Sequence, residues 1–190
     1  MGIGTIIFLG ILAVFGVYGV TIYNGLVSLK HGISKAWANI DVLLKQRHDE
    51  LPKLVETCKQ YMKYEQETLE KVMRARASVS SARERGDVGA LGMAEGQLRM
   101  GLGNLFAVAE AYPELRANES FQHLQGRISG LENSIADRRE FYNEAVNNNN
   151  VRIEQFPDVI LARMFNFREA SLLEFSDAEI ADVNMGQLFG

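Results

Sequence analysis

From Met1 to Leu29 the chain carries no charged side chain. Ile3 to Ile22 reads IGTIIFLGILAVFGVYGVTI, an unbroken apolar run. At ~1.5 Å rise per residue, about 20 helical residues span the ~30 Å hydrocarbon core of a bilayer. Tyr18 and Tyr23 fall near its downstream end, where aromatic side chains favour the membrane interface. A cleaved signal peptide fits this stretch poorly. It has no basic leading region, its apolar run is too long, and no small-x-small site follows. The run therefore predicts a single transmembrane anchor.

Beyond the anchor the period changes to a heptad. One series is Ile33, Ile40, Arg47, Leu54 and Tyr61; its companion is Trp37, Leu44, Leu51, Cys58, Glu65 and Val72. That spacing predicts a long amphipathic helix, nearly continuous with the anchor, with Arg47 and Glu65 as charged intruders on its apolar stripe. Pro52 lies within it and predicts a kink, because its ring removes a donor and crowds the carbonyl of His48. SARERGDVG, Ser81–Gly89, reads as the first turn. A second helix follows over roughly 88–111, with the stripe Leu91, Leu98, Leu102, Leu105, Ala109 and Tyr112. Gly92, Gly96, Gly101 and Gly103 lie inside it and imply close helix packing. Tyr112-Pro113 ends it, and Asn118 or Ser120 can cap the third.

The third stripe runs Phe121, Leu124, Ile128, Leu131, Ile135, Arg138, Tyr142, Ala145 and Asn149, turning polar from Arg138. The run Asn147–Asn150 predicts fraying or a bend, since asparagine is a poor helix former. Pro157 at the first helical position opens a short last helix to Met164. Short connections make neighbouring helices antiparallel. The expected fold is all-α. A transmembrane helix (1–29) continues into an antiparallel three-helix bundle with a short fourth helix (30–165). An acidic, irregular tail (166–190) follows.

Composition narrows the function. A net charge of −4 with mixed signs argues against nucleic-acid binding, which needs a basic stripe. One cysteine, Cys58, excludes an internal disulfide and a cysteine-rich metal site. No Lys or Arg precedes the anchor, whereas Lys30 and Lys35 follow closely, so the positive-inside rule puts Lys30 onwards in the cytoplasm.

An ordered series of residues carries a family resemblance. It begins with Tyr23-Asn24, Leu26-Val27 and Trp37. Ile40-Asp41-Val42, Leu44-Lys45, Arg47, Asp49, Leu51-Pro52, Leu54-Val55, Tyr61, Glu65 and Arg74-Ala75 extend it. Tyr112-Pro113, Leu115, Phe121, Leu124 and Leu131-Glu132 follow. It closes with Arg139, Tyr142-Asn143, Val146, Asn150, Phe156-Pro157 and Ala162. In this series the chain resembles the LemA family of bacterial membrane proteins. One departure is Asn149, where the family usually places an aromatic. The resemblance implies an N-terminal anchor in the bacterial inner membrane and a helical domain. It supplies no reaction. A member in magnetosome-forming bacteria is associated with building an internal membrane, which implies membrane organisation.

No Glu-x-x-His occurs, so a di-iron bundle site is not expected. His48, Asp49 and Glu50 are adjacent and point to different helix faces. No nucleophile elbow or phosphate-binding glycine loop is present. What stands out is a polar set of Arg47, Glu65, Glu132, Arg138, Arg139, Tyr142 and Asn143 on or beside the apolar stripes. Buried charges need partners, so Arg139 would pair with Glu65, or Glu132 with Arg47. The expected role is a structural layer setting helix register; the competing role is a catalytic or binding cluster of Glu, Arg and Tyr. The function expected is a membrane-anchored scaffold that self-associates and organises or remodels membrane, with no enzyme activity, cofactor or metal. Its expected partners are membrane lipid and further copies of itself. An adaptor for another membrane protein is the alternative.

Overall fold

The computed structural model describes residues 2–175. Every element among them is a helix: α1 (Ile3–Lys59), α2 (Gln66–Arg85), α3 (Val88–Ala109), α4 (Pro113–Arg116), α5 (Glu119–Glu154) and α6 (Asp158–Met164). The chain forms two compact units. One holds residues 2–38 with Phe141–Ser171; the other holds Asn39–Glu140 with residues 172–175.

The anchor and the first heptad segment are one uninterrupted helix, α1. Its first 18 or so residues are exposed, including Phe8, Phe15 and Tyr18. Its most apolar window has a mean hydropathy of 2.3 and nothing in it is buried. It is the one described helix long and apolar enough to cross a membrane. In the first unit, Ile22 and Leu26 at the end of this run form a small core with Ile153 and Ala162.

In the second unit the heptad stripe of α1 is buried as the spacing requires: Ile40, Leu44, Arg47, Leu51, Leu54 and Cys58 all face inward. The expected helix does not continue past Lys59, however. Residues 60–65 break it, with Tyr61 and Met62 N–H both donating to the Cys58 carbonyl. No Gly or Pro marks this break. Tertiary contacts account for it: the turn buries Met62 completely and brings the Tyr61 hydroxyl to Asn118 Nδ2 at 3.2 Å. Glu65 therefore stands in the break, one residue before α2, rather than on the stripe of a continuous helix.

The turn after α2 is tighter than the nine residues expected. α2 runs to Arg85, and Gly86 adopts φ +68°. Gly86 N–H donates to Arg83 O and Asp87 N–H to Ala82 O, the Schellman pattern that a glycine makes inexpensive. Asp87 then caps α3 by accepting from Ala90 N–H at 2.9 Å. Asn118 caps α5 through Phe121 N–H at 3.0 Å. Pro113 opens the short helix α4, which sequence reading missed, and Pro157 occupies the cap of α6 rather than its first helical position.

Two expectations about the glycines and asparagines needed correction. Gly101 packs against Val72 and Gly92 against the backbone of Glu174, whereas Gly103 faces open space. Close packing thus explains some of these glycines and not others. The asparagine run neither frays nor ends the helix; α5 passes through it to Glu154. Asn150 donates to Ala170 O and accepts from Ala170 N–H, both at 2.9 Å, while Asn149 donates to Arg168 O at 3.3 Å. Those amides supply to an irregular strand the hydrogen bonds that its backbone would otherwise lack. Residues 166–175 are non-helical yet tied down, with Leu173 buried. Asp177, Glu179 and Asp182 of the expected acidic tail lie outside the described residues.

A Cβ on Gly92 would collide with the Glu174 carbonyl oxygen. Gly92→Ala should therefore lower the thermal midpoint, equivalent to about 1–3 kcal/mol of overpacking. Gly103→Ala should leave it unchanged or raise it by up to about 1 kcal/mol through helix propensity. Circular-dichroism melting of the two full-length variants in one detergent tests the contrast.

Candidate functional site

The strongest polar feature is a buried ion triad in the second unit. α1 carries Arg47 into the interior at an apolar heptad position, where the side chain is 1% exposed. Its two terminal nitrogens separate to different helices. Nη2 donates to Glu95 Oε1 of α3 at 2.5 Å, and Nη1 to Glu132 Oε1 of α5 at 2.5 Å. Glu95 is 2% exposed and Glu132 18%. The planar guanidinium suits this, because its fork presents donors in two directions at once. Arg47 Nε has no hydrogen-bond partner.

Within the hydrogen-bonded triad one cation serves two carboxylates, and the positive charge of Arg139 also acts on Glu95. For Arg47, burial opposes its charge, but Glu95 and Glu132 outweigh that and raise its pKa further. For Glu95, burial dominates and Arg47 offsets it only partly, so its pKa is raised.

Further pairs surround the triad. Glu50, nearly buried on α1, meets Arg127 of α5 at 3.0 Å and Lys53 at 3.4 Å. Asp41 meets Lys45 at 2.9 Å and Arg83 at 3.5 Å. Pro52 has a consequence beyond α1. It cannot donate to the His48 carbonyl, and Arg76 Nε of α2 donates there instead at 2.9 Å. Arg76 Nη2 lies 2.6 Å from His48 Nε2, which makes that ring nitrogen an acceptor and the ring neutral. Burial first, and then Arg76, lower the His48 pKa. Among the described residues no group of three or more His, Cys, Asp or Glu is placed to hold a metal ion.

The predicted polar residues separate. Of the two pairings considered, the structure contains Arg47 with Glu132. Glu65 stays in the α1–α2 break. Arg138 is exposed, not on the core stripe, because α5 turns its neighbour Arg139 inward instead. Arg139 is half-buried with its guanidinium 3.7 Å from the Phe175 ring centroid. Burial first, and then nearby Arg99, lower its pKa. Tyr142 and Asn143 belong to the first unit. There Tyr142 packs on Trp37, ring centroids 5.5 Å apart, and donates to Ser171 O at 3.0 Å. Burial raises its pKa.

Sequence reading missed Glu95. A signal was present: Glu95 sits at heptad spacing between Leu91 and Leu98, on the apolar stripe of its helix. Arg76 gave no such signal, because its acceptor is a backbone carbonyl that only Pro52 frees.

Fold and site define a class: an all-helical protein with one membrane-length apolar helix and an internal ion-paired layer. The chain belongs to the LemA family, whose sequence model matches residues 36–185. Two relatives from Paramagnetospirillum magneticum, magnetosome proteins MamQ 1 and MamQ 2, are each 34% identical over 107 residues. That stretch is 55% of this chain and 39% of each relative. Magnetosome protein MamQ of Magnetospirillum gryphiswaldense is 27% identical over 96 residues, 50% of this chain and 35% of the relative. The chain thus spans well under half the length of these curated relatives.

Removing Arg47 leaves Glu95 buried and unpaired. Arg47→Met should cost about 3–5 kcal/mol, while Arg47→Met with Glu95→Leu should recover most of that loss. Paired thermal melts of single and double variants measure it.

Cys58 is fully buried, and burial pushes its thiol up to about 12. The thiolate is the reactive form, so Cys58 should resist a maleimide at pH 7–8 until the chain unfolds. Labelling within minutes in the folded chain would contradict the buried assignment.

Proposed function

We propose that this protein is a membrane-anchored structural protein that self-associates through its helical domain and organises or remodels the membrane. The observation that carries the reading is α1. A fully exposed apolar run and a sealed, ion-paired interior lie on one continuous helix. A bilayer is the medium in which such exposure is favourable.

The reading extends to finer points. α1, α3 and α5, tied at Arg47, form the centre of an antiparallel helical bundle. The membrane is the bacterial inner membrane, and Lys30 onwards faces the cytoplasm under the positive-inside rule. Membrane lipid and further copies of the chain are its partners, and it takes no nucleic acid. It is not an enzyme: the Arg47–Glu95 pair is closed to a substrate, and in such a place setting helix register is the best-attested role of buried charge. The magnetosome relatives support a role in organising membrane. Adaptor for another membrane protein is the second reading, favoured by the anchor alone.

The deciding measurement is the mass of the full chain extracted gently from membranes. A discrete homo-oligomer is expected. A single chain bound to one other protein would make the protein an adaptor. A lone monomer would overturn self-association and reopen the enzyme reading.

A further inference from the structure

The short helix α6 has two faces of different character. Ala162 and Leu161 pack on Ile22 and Leu26, the last turns of the apolar run in α1. The opposite side is apolar too, yet uncovered. Phe156 is 81% exposed, Ile160 57%, Met164 65% and Phe165 51%. Ile160 and Met164 are four residues apart on α6 and project from one side, and Phe156 stands in the turn that leads into the helix. Chance exposure of single apolar residues is ordinary, but a patch like this beside an anchor marks a contact.

Depth along α1 says what covers it. If residues 3–22 fill the hydrocarbon core, Leu26 lies about 6 Å past its edge at ~1.5 Å per residue. The elements touching Ile22 and Leu26 therefore sit at the membrane boundary. Aromatic side chains gather at the same level. Tyr23 meets Phe165 edge-on at 4.8 Å between centroids and Phe167 at 5.9 Å. Such residues favour the headgroup level of a bilayer.

Beside them lies a cavity of about 640 Å³. Its wall includes Tyr23, Phe165 and Phe167, and its rim carries Lys30, His31 and Arg168. Arg168 is held in place from both ends. Its carbonyl accepts from Asn149, and its Nε donates to Asn166 Oδ1 at 3.2 Å. Asn166 itself takes φ +57°, a left-handed turn that asparagine tolerates. The amide clamp of Asn149 and Asn150 thus fixes the strand that follows α6.

We infer that the segment 156–168 is a second membrane contact: α6 lies in the headgroup layer as an interfacial wedge, and the cavity between α1 and the residues that follow α6 seats the phosphate headgroup of an anionic phospholipid. Apolar side chains on one side and basic groups at the rim are the two features that hold an interfacial helix to an anionic leaflet. The inference rests on the reading of α1 as a membrane anchor and deepens it.

The full chain is reconstituted into bilayers containing phosphatidylglycerol, on a Cys58→Ala background. A nitroxide is attached at Phe8→Cys, Ile160→Cys or Met164→Cys, and its accessibility to oxygen is compared with that to a water-soluble nickel chelate. Oxygen should dominate at all three sites. Oxygen at position 8 but the chelate at 160 and 164 overturns the wedge and leaves the anchor standing. The chelate at all three overturns both. For the headgroup seat, Trp37 is the only tryptophan and serves as an energy-transfer donor. Transfer to dansyl-phosphatidylglycerol should exceed transfer to dansyl-phosphatidylcholine severalfold. The Lys30→Gln/Arg168→Gln variant, with unchanged circular dichroism, should lose that difference. Equal transfer from both lipids in the unaltered chain overturns the seat.

Discussion

A single buried cation sets the terms for the second unit. Arg47 occupies a place where the heptad asks for leucine, and a guanidinium there is tolerable only if carboxylates come to it. Glu95 from α3 and Glu132 from α5 do so at 2.5 Å each. That requirement couples three helices in one register. Apolar side chains slide past one another at modest cost; a buried ion pair that slips by a turn leaves charges unmatched. Desolvation of buried charges offsets much of their mutual attraction, so such a triad adds less net stability than its short distances suggest.

A second constraint comes from the backbone. Pro52 withholds a hydrogen bond from the His48 carbonyl, and a buried or half-buried carbonyl left without a donor is costly. Arg76 meets that need and binds the His48 ring as well. Asn149 and Asn150 play the same part in the first unit, hydrogen-bonding the main chain at Arg168 and Ala170. In both places a polar side chain on one helix satisfies backbone groups elsewhere.

Much of this was legible from residue order. The uncharged run to Leu29, the heptads from Ile33, the turn within Ser81–Gly89 and the cap at Asn118 each follow from local chemistry. An apolar stripe can only be buried, and a glycine after a helix readily takes positive φ. The ordered series from Tyr23 to Ala162 also pointed to the LemA family, to which the chain belongs. The candidate polar set was half legible. Arg47 stood out as a charge on an apolar stripe, and Glu132 was its candidate acceptor. Arg138 was misplaced because a heptad written across 28 residues drifts: an α-helix repeats every 3.6 residues, not 3.5.

By itself, then, the sequence determined the helices, the membrane-length apolar run and the presence of a charge that must be paired. Those depend on near neighbours: period, capping and the cost of exposing or burying a side chain. Only the tertiary structure decided where α1 stops, that Glu95 completes the triad, that Arg76 replaces the donor missing at Pro52, and that the asparagine run clamps a strand instead of fraying. Each of those depends on groups far apart in the chain, such as Tyr61 with Asn118 or Asn150 with Ala170. Their meeting becomes favourable only once the surrounding core has fixed both ends, so no local pattern records it.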